Sequence, residues 1–272
     1  MSANRFDDDV GSLLSTALDE LDEGVSVVNP SRETISELVT ILDGAGPSPD
    51  IRMLADEQAL KDVMDDFLVA SKAADLVEQD LLSMRLLEDP PNHSLLVTDE
   101  SVLSLVAAGD AISALVADDG AFVADVVDYY EGRWDRADSY SLRTPPISRI
   151  QTTLSDSIGP DTAADFDAVL ESLQTARGDG DGLDEVSISL LVAARNGELL
   201  YDISKWGEDI GLASKATFSR TKTQLEEMGL IDTEKVPIDV GRPRLRLILG
   251  DERLENADID ELASVAQSLL AS

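Results

Sequence analysis

Between Ser214 and Lys222 the chain places Ser214, Lys215, Thr217, Ser219, Arg220 and Lys222, three cations interleaved with three hydroxyls and no acid before Glu226. Short hydroxyl side chains let a backbone approach closely, and the cations meet phosphates or guanine edges, so this set can enter a nucleic-acid groove. That chemistry is association. For bond-making the inventory is poor. The chain has no cysteine and one histidine, His93, in the loop Pro91-Asn92-His93-Ser94, and a lone loop histidine without a partner constellation reads as a surface residue. No Gly-x-Ser-x-Gly elbow, P-loop or His-Glu-x-x-His run is present. Carboxylates are so numerous that no pair stands out as an acid/base dyad. The run Gly178-Asp179-Gly180-Asp181-Gly182 invites a calcium-loop reading, but Leu183 breaks the alternation of ligands that such a loop needs. The sequence therefore predicts no enzyme, no cofactor and no metal site.

A helix must carry the polar set. Ser214 is a suitable N-cap, because its hydroxyl accepts from a free first-turn N–H, and Gly229 suits the position after the last turn, where φ > 0 is needed. Between them Phe218, Thr221, Leu225 and Met228 recur at helical spacing and predict the face that meets a small core. Upstream, helices are predicted over 183–196, stopped at Gly197, and over 199–210, with Leu200, Ile203, Trp206 and Ile210 inward. Gly207 is the small residue that permits close approach to the next helix, and Gly211 is the turn glycine. Downstream, Ile231–Ile238 and Leu245–Leu249 predict a hairpin around Asp239-Val240-Gly241-Arg242-Pro243, flanked by Lys235, Arg242 and Arg244. Together 183–250 read as a winged helix-turn-helix whose DNA-binding residues are Ser214, Lys215, Thr217, Ser219, Arg220, Lys222, Lys235, Arg242 and Arg244.

Charge singles out the same segment. The chain carries 55 acids against 21 Lys plus Arg, six of them Lys, for a formal net charge of -34. From Arg195 to Gly250 nine bases face nine acids, so the remaining twelve bases and 46 acids account for the whole excess. Relief from acid is what a surface approaching a polyanion needs. Elsewhere the acids are dispersed, with Asp preferred to Glu. That pattern suits a protein working in molar salt, where screening removes self-repulsion; an acidic tail or a DNA mimic would instead concentrate its charge in blocks.

The first half reads differently. A helix over 6–21, a strand Val25–Val28, a helix from Ser31 to Gly44, a strand Ile51–Leu54 and a helical region from Glu57 to Gln79 suggest βαβ crossovers. Leu81–Leu86, Ser94–Thr98, Val102–Val106 and Ala111–Val116 then read as antiparallel strands continuing the sheet. A helix from Gly120 to Ala137 closes the unit. The predicted fold class is an α/β N-terminal sandwich with a mixed sheet over 1–143. A helical connector and acidic hinge follow over 144–182, beginning at Thr144-Pro145-Pro146 with stripes on Ile150 and Leu154 and then, after an Asp161 cap, on Phe166 and Leu170. The winged helix comes next, and last an amphipathic helix over 251–272, whose face from Ile259 to Leu270 either packs on its own domain or pairs with a twin. No run of ~20 apolar residues and no signal peptide are visible, so a soluble cytoplasmic protein is expected.

Asp56–Ala74, Ser141–Pro146 and above all Gly178–Leu249 resemble the haloarchaeal transcriptional regulators called TrmB suppressor proteins. The most specific text is Tyr201-Asp202-Ile203-Ser204-Lys205-Trp206-Gly207 onward through Arg242-Pro243-Arg244. The resemblance implies a repressor or activator of sugar-metabolism genes with promoter double-stranded DNA as partner, and an N-terminal domain similar to the effector domains of sugar-sensing archaeal regulators. Those domains are related in shape to phospholipase D halves, whose signature is His-x-Lys. Here His93 is followed by Ser94 and Leu95, so hydrolase activity does not carry over. A homodimer and a small-metabolite effector are expected, with the effector residues unassigned. The competing reading is an adaptor whose winged helix contacts another protein.

Overall fold

The computed structural model describes residues 5–7, 9–19, 24–44, 50–108, 111–175, 183–237 and 243–271. It divides into two compact units, 1–146 and 147–272.

The first unit is built on a seven-stranded mixed sheet of order β1-β7-β6-β5-β2-β3-β4. Its strands are β1 (Arg5–Asp7), β2 (Val25–Val28), β3 (Ile51–Ala55), β4 (Leu82–Leu86), β5 (Ser94–Val97), β6 (Val102–Ala108) and β7 (Ala111–Ala117). Its helices are α1 (Val10–Asp19), α2 (Arg32–Gly44), α3 (Glu57–Met64), α4 (Phe67–Glu78) and α5 (Gly120–Trp134). β2, β3 and β4 are parallel, with Val27 opposite Met53 and Met53 opposite Met84. The antiparallel part begins only at β5. This corrects the expectation that Leu81–Leu86 is antiparallel. The α3–α4 segment is itself a crossover, and a crossover returns the chain to the same edge in the same direction.

Two further expectations change locally. Arg5–Asp7 pairs with β7 as a short strand, and the first helix starts at Val10 after Asp9, whose carboxylate accepts from the Ser12 N–H at 2.8 Å. The helical region 57–79 is two helices, because Asp66 takes an extended conformation and caps the second by accepting from the N–H groups of Leu68 and Val69.

Side-chain alternation explains why these strands read as continuous apolar runs. Val25, Val27, Ile51, Met53, Leu96 and Leu103 enter a core with the side chains of α1, α2, α3 and α4, whereas Val28, Leu54, Val97 and Val102 enter a second core with Val123 and Tyr130 of α5. Both faces are covered, so both parities are apolar.

The second unit contains α6 (Ile147–Ser157), α7 (Pro160–Thr175), α8 (Glu185–Arg195), α9 (Leu200–Asp209), α10 (Lys215–Glu227), β8 (Ile231–Val236), β9 (Arg244–Leu249), α11 (Glu252–Asn256), a 3-10 turn (Ile259–Glu261) and α12 (Leu262–Leu270). α7 starts at Pro160 itself, with Asp161 inside its first turn rather than capping it, since proline suits the first helical position. The stretch read as a connector supplies α6 and α7, and both pack within this unit: α6 against α7 and α9, α7 against α8, the 3-10 turn and α12. The C-terminal amphipathic stretch is not one helix. It turns through the 3-10 segment, and Leu262, Ala263 and Ala266 of α12 are buried in their own unit.

On α7, Asp167 is half-buried and its Oδ1 has no partner among the described residues. Desolvation raises its carboxyl pKa above the ordinary 3.8, against a lowering hydrogen bond from Gln151. A raised folded-state value means the charge costs stability above that value, the cost fades as pH falls through it, and it is gone below 3.8. Asp167→Asn is therefore expected to stabilise at neutral pH by roughly 0.5 kcal/mol, discounted for solvent screening. The advantage in urea midpoint disappears in acid; an equal advantage at both pH values refutes the charge as its cause.

Candidate nucleic-acid interface

α8, α9 and α10 form the three-helix body of the second unit, and β8 and β9 form the wing hairpin, in register from Ile231 opposite Leu249 to Val236 opposite Arg244. Leu199 adds a one-residue bridge to Arg246, and the Leu247 N–H donates to the Glu198 carbonyl at 2.8 Å, so the α8–α9 turn is fastened to the wing. Gly197, Gly211 and Gly229 all have positive φ, at 68°, 81° and 72°. They end α8, make the α9–α10 turn and end α10, as the sequence predicts. Trp206 is buried and donates from Nε1 to Thr153 Oγ1 at 3.0 Å, tying α9 to α6.

α10 is seated by Phe218, Thr221 and Leu225, all buried. Met228, expected in that stripe, is 50% exposed. The left-handed Gly229 turns the chain so that Leu230, 0% exposed, fills the core at that level instead. Gly207 packs against the Cε2–Cζ edge of the Phe218 ring with no room for a Cβ, as its expected packing role requires.

The predicted contact residues separate into groups. Ser214 caps the helix, its Oγ accepting from the Thr217 N–H at 3.1 Å and sharing a hydrogen bond with Thr217 Oγ1 at 3.0 Å. Losing that cap in Ser214→Ala is expected to cost about 1 kcal/mol, read as a lower denaturation midpoint; an unchanged midpoint removes the cap's assigned role. Lys215 is paired with Glu208 at 2.6 Å. Hydrogen bonding to Lys215 holds the Glu208 carboxyl below its usual range and raises the lysine. Lys222 turns away from the outer face. Its side chain is 13% exposed and bonds Glu226 at 2.5 Å, while the other Glu226 oxygen accepts from Thr233 of β8 at 3.0 Å. Ser219 and Arg220 face solvent, and Arg220 has no ion pair among the described residues. On the wing, Lys235 is exposed on β8. Arg244 lies 5.2 Å above the Tyr201 ring with Nη1 3.5 Å from Asp202. Arg242 lies outside the described residues.

Ala216, Thr223 and Gln224 are exposed like Ser219 and Arg220, and sequence reasoning missed them because Ala216 has no polar group and the other two lie beyond Lys222, the last cation of the helix. Their offsets from Phe218, Thr221 and Leu225 place Ala216 and Thr223 opposite the buried stripe and Gln224 on its flank, which is the signal that could have found them. Arg246, paired across the hairpin with Glu234 at 2.9 Å, and Tyr201 were also missed.

A concavity lies in the first unit, at the carboxyl ends of β3 and β4. It measures about 500 Å³ and is lined by Asp56, Glu57, Glu88, Asp89, Arg133, Arg136 and Asp138 among others. Arg133 is held there by the Asp89 carbonyl at 3.3 Å and the Tyr129 hydroxyl at 3.2 Å. No group of side chains able to hold a metal ion exists among the described residues, and no helix among them is long and apolar enough to cross a membrane.

Three helices, a glycine turn, a capped third helix with an outward polar face and a two-stranded wing define a winged helix-turn-helix protein. The family model for the C-terminal helix-turn-helix domain of TbsP-like transcriptional regulators matches residues 146–267, and that for their N-terminal domain matches residues 2–145. The chain thus belongs to the TbsP-like transcriptional regulators, a helix-turn-helix family and not one of enzymes. No curated protein matches the chain. Among solved structures, TrmBL2, an archaeal chromatin protein, is similar at 12% identity and a TM-score of 0.37, over 52% of this chain and 55% of its own. Nuc from Salmonella typhimurium, a phospholipase D family member, is similar at 12% identity and a TM-score of 0.35, over 51% of this chain and 97% of its own. The chain thus spans little more than half the length of the TrmBL2 chain.

Proposed function

We propose that this regulator binds promoter DNA sequence-specifically, with α10 in the major groove and the wing on the flanking backbone. The observation that carries this reading is the outer face of α10. There Arg220 stands without an ion pair among the described residues, between the small side chains of Ala216, Ser219 and Thr223. Ser219, Arg220, Thr223 and Gln224 read base edges, while Lys215, Lys235, Arg242 and Arg244 meet phosphates. Ser214 and Thr217 hold the helix start, and Lys222 holds α10 to β8. Two copies bind a two-fold site, the usual arrangement for such helices. The polar concavity beside Arg133 and Arg136 takes a small metabolite whose occupancy adjusts binding. Sugar-metabolism genes as targets follow from the family resemblance, and a cytoplasm of molar salt from the dispersed acid.

The test is selection of duplexes from a random pool by the full chain in high salt, followed by footprinting. An enriched, two-fold-related motif protected over about one helical turn per half-site is expected. No enrichment, with another protein retained through the winged helix, overturns it in favour of the adaptor reading.

A further inference from the structure

The cations around α10 are largely spoken for. Six basic side chains face solvent on α9, α10 and the hairpin: Lys205, Lys215, Arg220, Lys235, Arg244 and Arg246. Four of them already hold a carboxylate: Lys205 with Asp209 at 2.5 Å, Lys215 with Glu208 at 2.6 Å, Arg246 with Glu234 at 2.9 Å and Arg244 with Asp202 at 3.5 Å. The pairs are open to solvent, each side chain being 39% exposed or more. Arg220 and Lys235 alone of the six have no such partner among the described residues. With Lys222 on Glu226, five of the segment's nine bases are thus matched to acids of the same segment.

We infer that DNA displaces these carboxylates from their cations, so that binding is far less salt-sensitive than its count of basic contacts implies. The inference rests on the DNA-binding reading above. A lysine or arginine that contacts a phosphate releases about one counterion condensed on the duplex. In an ordinary regulator that release drives association and makes it collapse as salt rises. Here each paired cation that moves to a phosphate leaves a carboxylate beside the polyanion, where like charges within a few ångströms repel strongly unless a solvent cation joins them. One cation leaves the DNA and one is taken up at the orphaned acid. The exchange has no net dependence on salt.

Magnitudes separate the two cases. If all six cations drove counterion release, log K would fall with log salt at a slope of about −5 per winged helix, and a tenfold rise in salt would weaken binding about 10⁵-fold. If only the two unpaired ones do so, Lys235 on phosphate and Arg220 by its charge within the groove, the slope is at most about −2 and the loss about 10²-fold. Counting Arg242 of the wing as a further phosphate contact steepens both slopes by about one. The pairing thereby keeps a winged helix usable in salt that would strip an unpaired basic surface. At low salt it works as a brake, because phosphate must compete with an acid already in place.

The test is fluorescence anisotropy of the full chain on a duplex taken from the selection, with stoichiometry fixed by titration, across KCl from about 0.1 to 1 M, a window in which counterion release is the dominant salt effect. A shallow slope of about −2 to −3 per bound winged helix is expected. Glu208→Gln and Asp202→Asn, which keep shape and an acceptor but lose the charge, should each steepen it by about one and tighten binding several-fold at low salt, the curves converging at high salt. Glu255→Gln, an exposed acid on α11, should leave the slope unchanged. A wild-type slope near −5 per bound winged helix, or equal changes from Glu255→Gln and Glu208→Gln, overturns the inference while leaving DNA binding intact. No binding at any salt, by any variant, removes the functional reading and this inference with it.

Discussion

Gly207→Ala is expected to destabilise the second unit by about 2 kcal/mol, a drop of roughly 5–10 °C in its unfolding midpoint. A Cβ built on Gly207 falls 2.5 Å from Cζ of Phe218 and closer still to Cε2, where a carbon pair is comfortable at about 3.5–4.0 Å. Phe218 is fully buried, so its ring cannot swing into solvent, and the overlap must be relieved by moving α9 against α10. Overpacking costs about 1–3 kcal/mol, and contacts this short with a confined ring put it at about 3 kcal/mol. Against it, alanine favours a helix interior over glycine by about 1 kcal/mol. The steric term wins because the clash is with a ring confined on every side, not with a flexible chain end. Affinity for the selected duplex should fall as well, since Phe218 sits two residues from Arg220 and its displacement turns the outer face. Gly207→Ala combined with Phe218→Leu should recover part of the loss. A midpoint equal to or above that of the unaltered chain would show that the two helices do not pack as described.

That close approach was legible before any coordinates, and the reason is local. Ser214, Gly211 and Gly229 each mark a boundary by a chemical requirement of one residue, a hydroxyl to cap or a positive φ to turn. Periodicity alone then assigns Phe218, Thr221 and Leu225 to the core. Strand direction has no such marker. Leu82–Leu86 alternates apolar Leu82, Met84 and Leu86 with polar Ser83 and Arg85, a pattern that is the same whether it runs with β3 or against it, and only the α3–α4 crossover decides. The Asp66 break was available as an Asp-to-N–H cap, but the apolar residues on either side of it kept helical spacing and hid it. Met228 obeyed the period and still left the core, because the glycine after it redirects the chain.

The interface was only half legible for a related reason. Counting charges correctly found a neutral segment from Arg195 to Gly250. It did not show that neutrality arises from contacts such as Arg244 with Asp202, 42 residues apart in sequence. Nor did it show that Lys222, one residue beyond the core position Thr221, has its ammonium against Glu226 near the wing strand. A basic residue on a helix wheel has a direction, but its ion-pair partner depends on what tertiary structure places beside it.

Arg220→Ala should weaken binding to the selected duplex about 10- to 100-fold and flatten its preference at the base pair that Arg220 reads, the effect of losing one bidentate base contact. Arg220 is singled out by three facts that act together. It is exposed, it lies on the face opposite Phe218, and no described carboxylate holds it. Binding therefore need not break a pair to use it, and its energy goes into the complex without offset. Arg220→Lys should restore the charge-dependent part of affinity while leaving discrimination low, because an ammonium lacks the planar fork that matches a guanine edge. Lys222→Ala makes the contrast. It should leave the base preference unchanged and lower stability instead, since it strands a partly buried Glu226 that Lys222 now compensates. Competition binding with single-base variants of the duplex, alongside urea denaturation of each protein, separates the two phenotypes. If Arg220→Ala retains both affinity and base preference, α10 does not read the groove through this face.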